Sequence, residues 1–466
     1  MTQAGRVDER AKYYLIVLTA ALLIPAALGS SKSIFNDGDV SWHIATGQWI
    51  LAHGQIPRTD PFSFTWAGKP WVPIEWLAET IMASAYRSAG YSGISALATA
   101  ALIALHAVIV SNATRFVRPL AALGAIIAMD VVLIPMMLAR PHLLAWALLA
   151  FWTNLMVHAR QKDRAPPLAA ALLMVVWTNL HGSFVIGLVV AAAFGLEALL
   201  ASGDRTRALR QWGLFGVACA IAVFVNANGL EGVLHPLKIA NLSMLPLVDE
   251  WKPSNPAVTP FFFVVLAGVL ALLWLKRPAM HPVRWLLLCA LLGLALLQVR
   301  HQAVLAIVAA VILPEAFAKG SVRAEAEKRI WWLVGAAAVA LIAVRLIMPM
   351  TPPENEANPW KLIAAVPPDL RSQPVLNGYV MGGPLILSGI RTYVDGRGDM
   401  YGDELVIGYK SITDGDAAKF DEAVQRWGIR WAILPHRYKK FVALIERSPG
   451  WRRIHQDSVG VIYVRN

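Results

Sequence analysis

SGISALATAALIALHAVIV, residues 92–110, contains no Asp, Glu, Lys or Arg and stops just short of Arg115 and Arg118. The hydrocarbon core of a bilayer takes about 20 apolar residues in a helix, so this stretch reads as a membrane span with a basic exit. Similar apolar stretches begin near Tyr13, Pro119, His142, Pro166, Ser183, Trp212, Val258, Arg284, Gln302 and Ile330, which makes about eleven spans at that length. The whole chain agrees with this reading. Of 466 residues, 57% are hydrophobic and only 15% are charged, too apolar a composition for one soluble core, so lipid covers much of the surface.

The net charge of +12 does not point to nucleic acid, because the basic residues fall in short clusters between apolar stretches. Arg6, Arg10 and Lys12 precede the first span, and Arg115 with Arg118 follows the second. Then come Arg160, Lys162 and Arg164; Arg205, Arg207 and Arg210; Lys276, Arg277 and Arg284; and the run 319–329. They occupy alternate connections, which the positive-inside rule assigns to the cytoplasm. An odd number of spans then carries everything after Met350 to the outer side. Residues 13–28 have no cleavage signal ahead of a soluble domain and read as an uncleaved helix. Cys219 and Cys289 lie in apolar helices and read as packing residues.

The outer connections hold the unusual polar residues. The longest early one spans 31–76, and within it residues 40–52 place apolar side chains near helical spacing around Trp42, His43 and Trp49, as in a helix lying along the membrane surface. The others are Arg140-Pro141-His142, Asn179-Leu180-His181-Gly182, residues 226–256 and Arg300-His301. The expected organisation is a transmembrane domain over 1–350, a Pro-rich linker over 351–359 and a periplasmic α/β domain over 360–466. In the last, apolar runs at 374–376, 391–394, 430–434 and 459–464 alternate with helix-like segments at 416–426 and 439–447.

Helix packing gathers the outer ends into one region. The first loop brings Asp37, Asp39, His43, Asp60 and Glu75, and the short turns bring Arg140, His142, His181, Arg300 and His301. Charges at membrane depth are costly unless paired or facing a wet cavity. Bases that bind phosphate opposite acids that move a proton suit a lipid-linked anionic substrate. Each residue also has a plainer reading: arginines at helix ends snorkel, and Asp60 and Glu75 fit turn and cap positions. Asp395-Gly396-Arg397-Gly398-Asp399 reads as a turn or as a flap over the pocket, and mid-helix Asp130 calls for an interior partner.

Several motifs together resemble a known group: Asn36-Asp37-Gly38-Asp39, Trp42-His43, Asp60-Pro61-Phe62-Ser63, Glu75-Trp76-Leu77, Trp177-Thr178-Asn179-Leu180-His181-Gly182, Glu250-Trp251, Arg300 and Val394-Asp395-Gly396-Arg397. They are similar to those of uncharacterised bacterial membrane proteins in the GT-C glycosyltransferase superfamily. The resemblance implies the bacterial inner membrane and agrees with the α-helical polytopic fold, small C-terminal α/β domain and cytoplasmic N-terminus read from the spans and basic loops. It implies a polyprenyl-phosphate sugar donor, a saccharide, lipid or protein acceptor, and inversion at the sugar. Catalytic acids map onto Asp37 and Asp39, which here are separated by Gly38 rather than adjacent. Whether they hold a divalent cation, Mg or Mn, is left open by the resemblance. The competing expectations are a transporter or flippase of lipid-linked saccharide, which calls for repeats and a mid-depth site, and a non-catalytic subunit of a polysaccharide assembly system.

Overall fold

The computed structural model describes residues 3–318 and 328–466, so most of the basic run 319–329 lies outside the described residues. From the N-terminus come α1 (Gln3–Gly29), α2 (Asp39–His53), α3 (Trp76–Ala113), α4 (Pro119–Leu133) and α5 (His142–Gln161). They are followed by α6 (Leu172–Leu180), α7 (Phe184–Ala201), α8 (Arg205–Ala222) and α9 (Gly229–Ala240), then α10 (Pro260–Lys276), α11 (Pro282–Leu297), α12 (His301–Ala316) and α13 (Lys328–Ile347). Among the described residues, α3, α5, α7 and the segment Pro119–Met136 that contains α4 are long and apolar enough to cross a membrane. Six further apolar helices are shorter, and every expected span start falls in or beside a helix.

The span expected from Ser92 belongs to a longer helix that already begins at Trp76. Gly90 takes φ +57 and breaks α3 there, a conformation that costs glycine little. The extra turns before this kink carry Glu79 beside α2. The two ends of the bundle differ in chemistry. Arg115, Gln161, Glu197, Arg284 and Glu315 sit at or just past the ends of α3, α5, α7, α11 and α12 remote from the first loop. Arg284 donates to Glu197 (2.7 Å) and Glu315, Gln161 to Glu315 (3.0 Å), and Arg115 to Gln161 (2.5 Å). The first loop and the turns at 140–142, 181–183 and 298–301 gather at the opposite end.

α2 does not lie along a surface. Val40 to Gly47 are buried without a break, because α2 is enclosed between α3 and the C-terminal region. A Cβ at Gly47 would come 1.9 Å from the Glu79 carbonyl, and one at Gly383 would come 2.0 Å from that of Gly38. Cys219 is buried as expected, whereas Cys289 is exposed on α11.

After residue 350 the chain forms α14 (Trp360–Ala364), β1 (Val375–Asn377), α15 (Gly382–Leu387), α16 (Gly398–Thr413) and α17 (Ala417–Trp427). β2 (Trp431–Pro435), α18 (Lys439–Arg447), β3 (Trp451–Gln456) and β4 (Gly460–Arg465) complete it. The sheet order is β1-β2-β4-β3, with β1 parallel to β2 and the other pairs antiparallel. Asp416 caps α17 through the Lys419 N–H at 3.0 Å, and Gly428 at φ +60 ends it. Residues 391–394, expected as a strand, leave this sheet and pair with the first loop instead. Thr392 N–H donates to the Phe62 carbonyl (3.2 Å) and the Phe64 N–H to the Thr392 carbonyl (3.1 Å).

Candidate active site

The fold brings Asp37, Asp39, Arg140 and Glu250 into one cluster. Asp37 precedes α2 and accepts the Asp39 N–H at 2.9 Å through Oδ1, so half of its carboxylate serves the helix start. Its Oδ2 faces Arg140 Nη1 at 3.0 Å, while Arg140 Nη2 lies 3.1 Å from Asp39 Oδ2 and Nη1 3.5 Å from Glu250 Oε2. Arg140 stands in the turn before α5, and that turn is fixed to the first loop by the Ala139 N–H on the Ile34 carbonyl at 2.8 Å. The tail closes the other side: a Cβ at Gly396 would stand 1.8 Å from Asp39 Oδ1, so only glycine admits this approach.

One guanidinium among several carboxylates leaves excess negative charge. Burial, with the Asp37 charge and against the pull of Arg140, pushes the Asp39 carboxyl up to about 7. For Glu250 burial also acts upward, but Arg140 and Arg300 outweigh it and hold the group below its ordinary value. Burial opposes the charge of Arg140, and Asp37, Asp39, Glu250 and Glu75 overcome it, so the guanidinium stays ionised.

A second cluster adjoins the first. Glu75 stands just ahead of α3 yet makes no side-chain cap hydrogen bond; its carboxylate lies 3.3 Å from His181 Nε2 and 3.8 Å from His43 Nε2. On its other edge His43 Nδ1 meets Glu79 Oε1 at 3.2 Å. His43 and Glu79 are each 1% exposed, against 21% for the Glu75 side chain, so the group opens to the site only at Glu75. Burial raises Glu75 to about 7, with Arg140 and Arg300 acting against it. Burial followed by Arg140 depresses His43, and burial followed by Arg300 depresses His181, so both rings are neutral.

The other expected residues have different surroundings. The Arg300 guanidinium lies 4.3 Å from the Trp251 ring centre, and the Arg300 backbone N–H donates to the Glu250 carbonyl at 3.0 Å, which ties the start of α12 to the loop bearing Glu250. His142 Nε2 pairs with the Met136 carbonyl at 3.0 Å, and the ring packs against Trp146. His301 Nδ1 is buried with no hydrogen-bond partner among the described residues.

Asp60 does not join either cluster. Its Oδ1 accepts from Arg397 Nη1 at 2.7 Å and its Oδ2 from the hydroxyl of Ser63. Arg397 also pairs with Asp395 at 2.7 and 2.8 Å, and Tyr401 donates to Asp395 at 2.5 Å. Asp60 and Arg397, 337 positions apart in the chain, are both almost fully buried. Their ion pair locks the first loop to the tail, so Asp395 to Asp399 form a flap over the site rather than a free turn.

Glu79 escaped the sequence reading, although it follows Glu75 by one helical turn and therefore shares its face. The ion pair of Arg397 with Asp60 had no local signal. The donor set of Asp37 and Asp39 does not fit a bridging Mg or Mn ion. Three of their four oxygens are taken, one by the Asp39 N–H and two by Arg140, and Gly396 presses on the fourth. Arg140 itself supplies the bridging positive charge.

No protein-family model matches the chain, and no curated protein matches it. Among solved structures, the fold is similar to the oligosaccharyltransferase of Archaeoglobus fulgidus in its apo form. Identity is 13%, 97% of this chain and 74% of that chain are covered, and the TM-score is 0.58. It is also similar to the archaeal oligosaccharyltransferase AglB from Archaeoglobus fulgidus in complex with an inhibitory peptide and a dolichol-phosphate, at 11% identity, the same coverage of both chains and a TM-score of 0.50. At such identities the likeness concerns the fold alone, which this chain shares with those oligosaccharyltransferase structures.

Proposed function

We propose that the protein is an inverting membrane glycosyltransferase that moves a sugar from a polyprenyl-phosphate donor to an acceptor at the outer face of the bacterial inner membrane. The observation that carries this reading is the carboxylate pair Asp37 and Asp39, bridged by Arg140 at the end of an apolar bundle with Arg300 nearby. The fold likeness to oligosaccharyltransferases, one of them bound to a dolichol-phosphate and a peptide, supports a lipid-linked donor and leaves room for a peptide, saccharide or lipid acceptor. Eleven spans, a cytoplasmic N-terminus and an outer tail follow from the alternating basic loops.

In this mechanism Asp37 and Asp39 hold the acceptor beneath the flap, and Asp39 takes its proton as the acceptor attacks the anomeric carbon. Arg140 fixes both carboxylates, and Arg300 meets the negative charge growing on the departing phosphate. His142, His181 and His301 line the phosphate side. A flippase calls for an open polar site at mid-depth. The mid-bundle pair His106 and Asp130 instead closes on itself at 3.0 Å.

Transfer of labelled sugar from a polyprenyl-phosphate in detergent tests the reading. Asp37→Asn and Asp39→Asn keep the volume and remove the negative charge. Asp39→Asn should lower the rate by about two to four orders of magnitude, the usual worth of a general base, and Asp37→Asn should lower it by loosening the acceptor and Arg140, while insertion and folding persist. Wild-type turnover in both variants would return these aspartates to a helix-capping role.

A further inference from the structure

We propose that Glu75 is a second catalytic residue of this site, a general acid that protonates the departing lipid phosphate, with His43 and Glu79 as the positioning residues behind it. The proposal rests on the transferase reading above and adds to it the fate of the second proton.

The ordinary role of a glutamate just ahead of a helix is to cap it, and the Glu75 side chain makes no cap hydrogen bond. Its oxygens face two imidazoles instead. The tautomer of His181 follows from its neighbours. The Ser183 N–H donates to its Nδ1 at 3.0 Å, so Nδ1 is an acceptor and the proton of the neutral ring sits on Nε2, 3.3 Å from Glu75 Oε1. That contact fixes one oxygen of Glu75 and leaves the other toward His43, 3.8 Å away.

Behind Glu75, His43 Nε2 and Glu79 Oε2 are buried with no hydrogen-bond partner among the described residues, while His43 Nδ1 and Glu79 Oε1 face each other at 3.2 Å. A buried carboxyl against a neutral imidazole is satisfied when the two share one proton. With that proton on Glu79, the ring accepts at Nδ1 and its Nε2–H points at Glu75. With it on Glu75, the ring turns its bare Nε2 toward Glu75, 3.8 Å away, and donates from Nδ1 to Glu79. Either arrangement keeps the one proton on the row without placing a full charge on the ring, and once Glu75 has given it up the row is refilled through Glu75, its one open member.

Arg140, Arg300, Glu250, Asp399, Glu79, His43 and His181 are the charged and titratable groups around Glu75 among the described residues. The two arginines draw a phosphate toward it. The bond from the anomeric carbon to the phosphate oxygen breaks and one to the acceptor forms. The acceptor's proton goes to Asp39, and the Glu75 proton goes to the leaving phosphate, whose last ionisation lies near 6. One such step leaves Asp39 protonated and Glu75 ionised; before the next, Asp39 releases its proton to solvent and Glu75 takes one up, so the net transfer over a turnover is one proton from acceptor to product phosphate. Burial keeps Glu75 protonated at neutral pH to the extent this step requires.

The test is the pH profile of sugar transfer for wild type, Glu75→Gln and Glu75→Asp, with a polyprenyl-phosphate and a polyprenyl-pyrophosphate sugar as donors. Wild-type kcat with the monophosphate should fall on the alkaline side of about pH 7 as Glu75 loses its proton. Glu75→Gln should lower kcat by about 10²- to 10³-fold with KM for the donor little changed, and should erase that alkaline limb. Glu75→Asp should keep the limb at reduced rate, and its retention of activity covers the case in which Glu75→Gln fails to fold. The pyrophosphate is the better leaving group and should be nearly indifferent to Glu75→Gln. Wild-type transfer whose alkaline limb survives unchanged in Glu75→Gln overturns the role of Glu75 alone. A wild-type protein that moves sugar from neither donor overturns the transferase reading and this one with it.

Discussion

Asp39 and Glu75 each meet the site with a carboxyl that the fold makes hard to ionise. Their ordinary values of 3.8 and 4.5 are both raised to about 7, chiefly by burial. An acid whose folded pKa exceeds its unfolded one binds more protons in the native state between those two values. Its stabilising contribution is therefore present below the unfolded pKa and is lost as pH rises through about 7. The native protein should lose thermal stability between about pH 5 and about pH 8, and Glu75→Gln and Asp39→Asn, which have nothing to ionise, should flatten that fall. Thermal unfolding in detergent across this range checks it, and parallel curves for wild type and both variants would count against the burial argument. Variants that gain stability at alkaline pH while losing transfer would exhibit the usual exchange between site strain and robustness. At this scale the sequence revealed which residues are polar but not how they pair. Arg140 and Asp39 stood out because charge at a membrane face is expensive, whereas their contact depends on a turn held by Ile34, a hundred residues earlier.

Among the elements, α3 joins both chemistries of the bundle: its first turns carry Glu79 to the site, and its C-terminal part carries His106 to Asp130 of α4. His106 Nδ1 faces the Leu102 carbonyl at 2.8 Å, and a carbonyl only accepts, so Nδ1 bears a hydrogen and Nε2 meets Asp130 Oδ2 at 3.0 Å. The sequence alone demanded a partner for Asp130, because an unpaired carboxyl in a helix interior is too costly. It could not say which histidine, since the pairing depends on how α3 and α4 cross. Truncating Asp130→Ala leaves a buried imidazole without its partner and should cost about 1–3 kcal/mol. Replacing both residues with leucine removes the orphan and should recover most of that loss. Unfolding of the single and double variants in micelles measures it, and a double variant as unstable as the sum of both single losses would refute the pairing. α2 teaches the converse lesson. Its apolar spacing was legible as a helix, but spacing does not reveal that a second surface arrives from the tail to bury the polar side as well.

For the whole molecule, the division legible in the chain at residues 351–359 is not where the contacts divide. Asn358 Nδ2 reaches the Phe35 carbonyl at 2.6 Å, and Asn355 Nδ2 meets Asn36 Oδ1 at 2.9 Å, so the Pro-rich stretch is anchored to the first loop. Trp42, Ala45 and Trp71 of that loop share one apolar cluster with Tyr393, Tyr401, Phe420 and Phe441 of the tail. The Arg397 pair with Asp60 lies inside the same contact. The first loop therefore has two sets of partners, the bundle beneath and the tail above, and removing the tail exposes aromatic surface and deprives Asp60 of its counter-charge. A chain ending at residue 350 should still insert, because its spans and basic loops are intact. Its residues 54–75, however, should become readily cleaved by added protease while the full-length protein resists there, since cleavage follows the population of locally opened states. Asp39 would also lose the wall that Gly396 gives it, so the truncated chain should transfer no sugar even where it inserts normally. Digestion of both forms in the same detergent, with insertion followed by a C-terminal reporter, separates the outcomes. Equal resistance of residues 54–75 in the two forms would mean that the tail rests on a loop already complete without it, and the flap over Asp39 would then have no structural consequence.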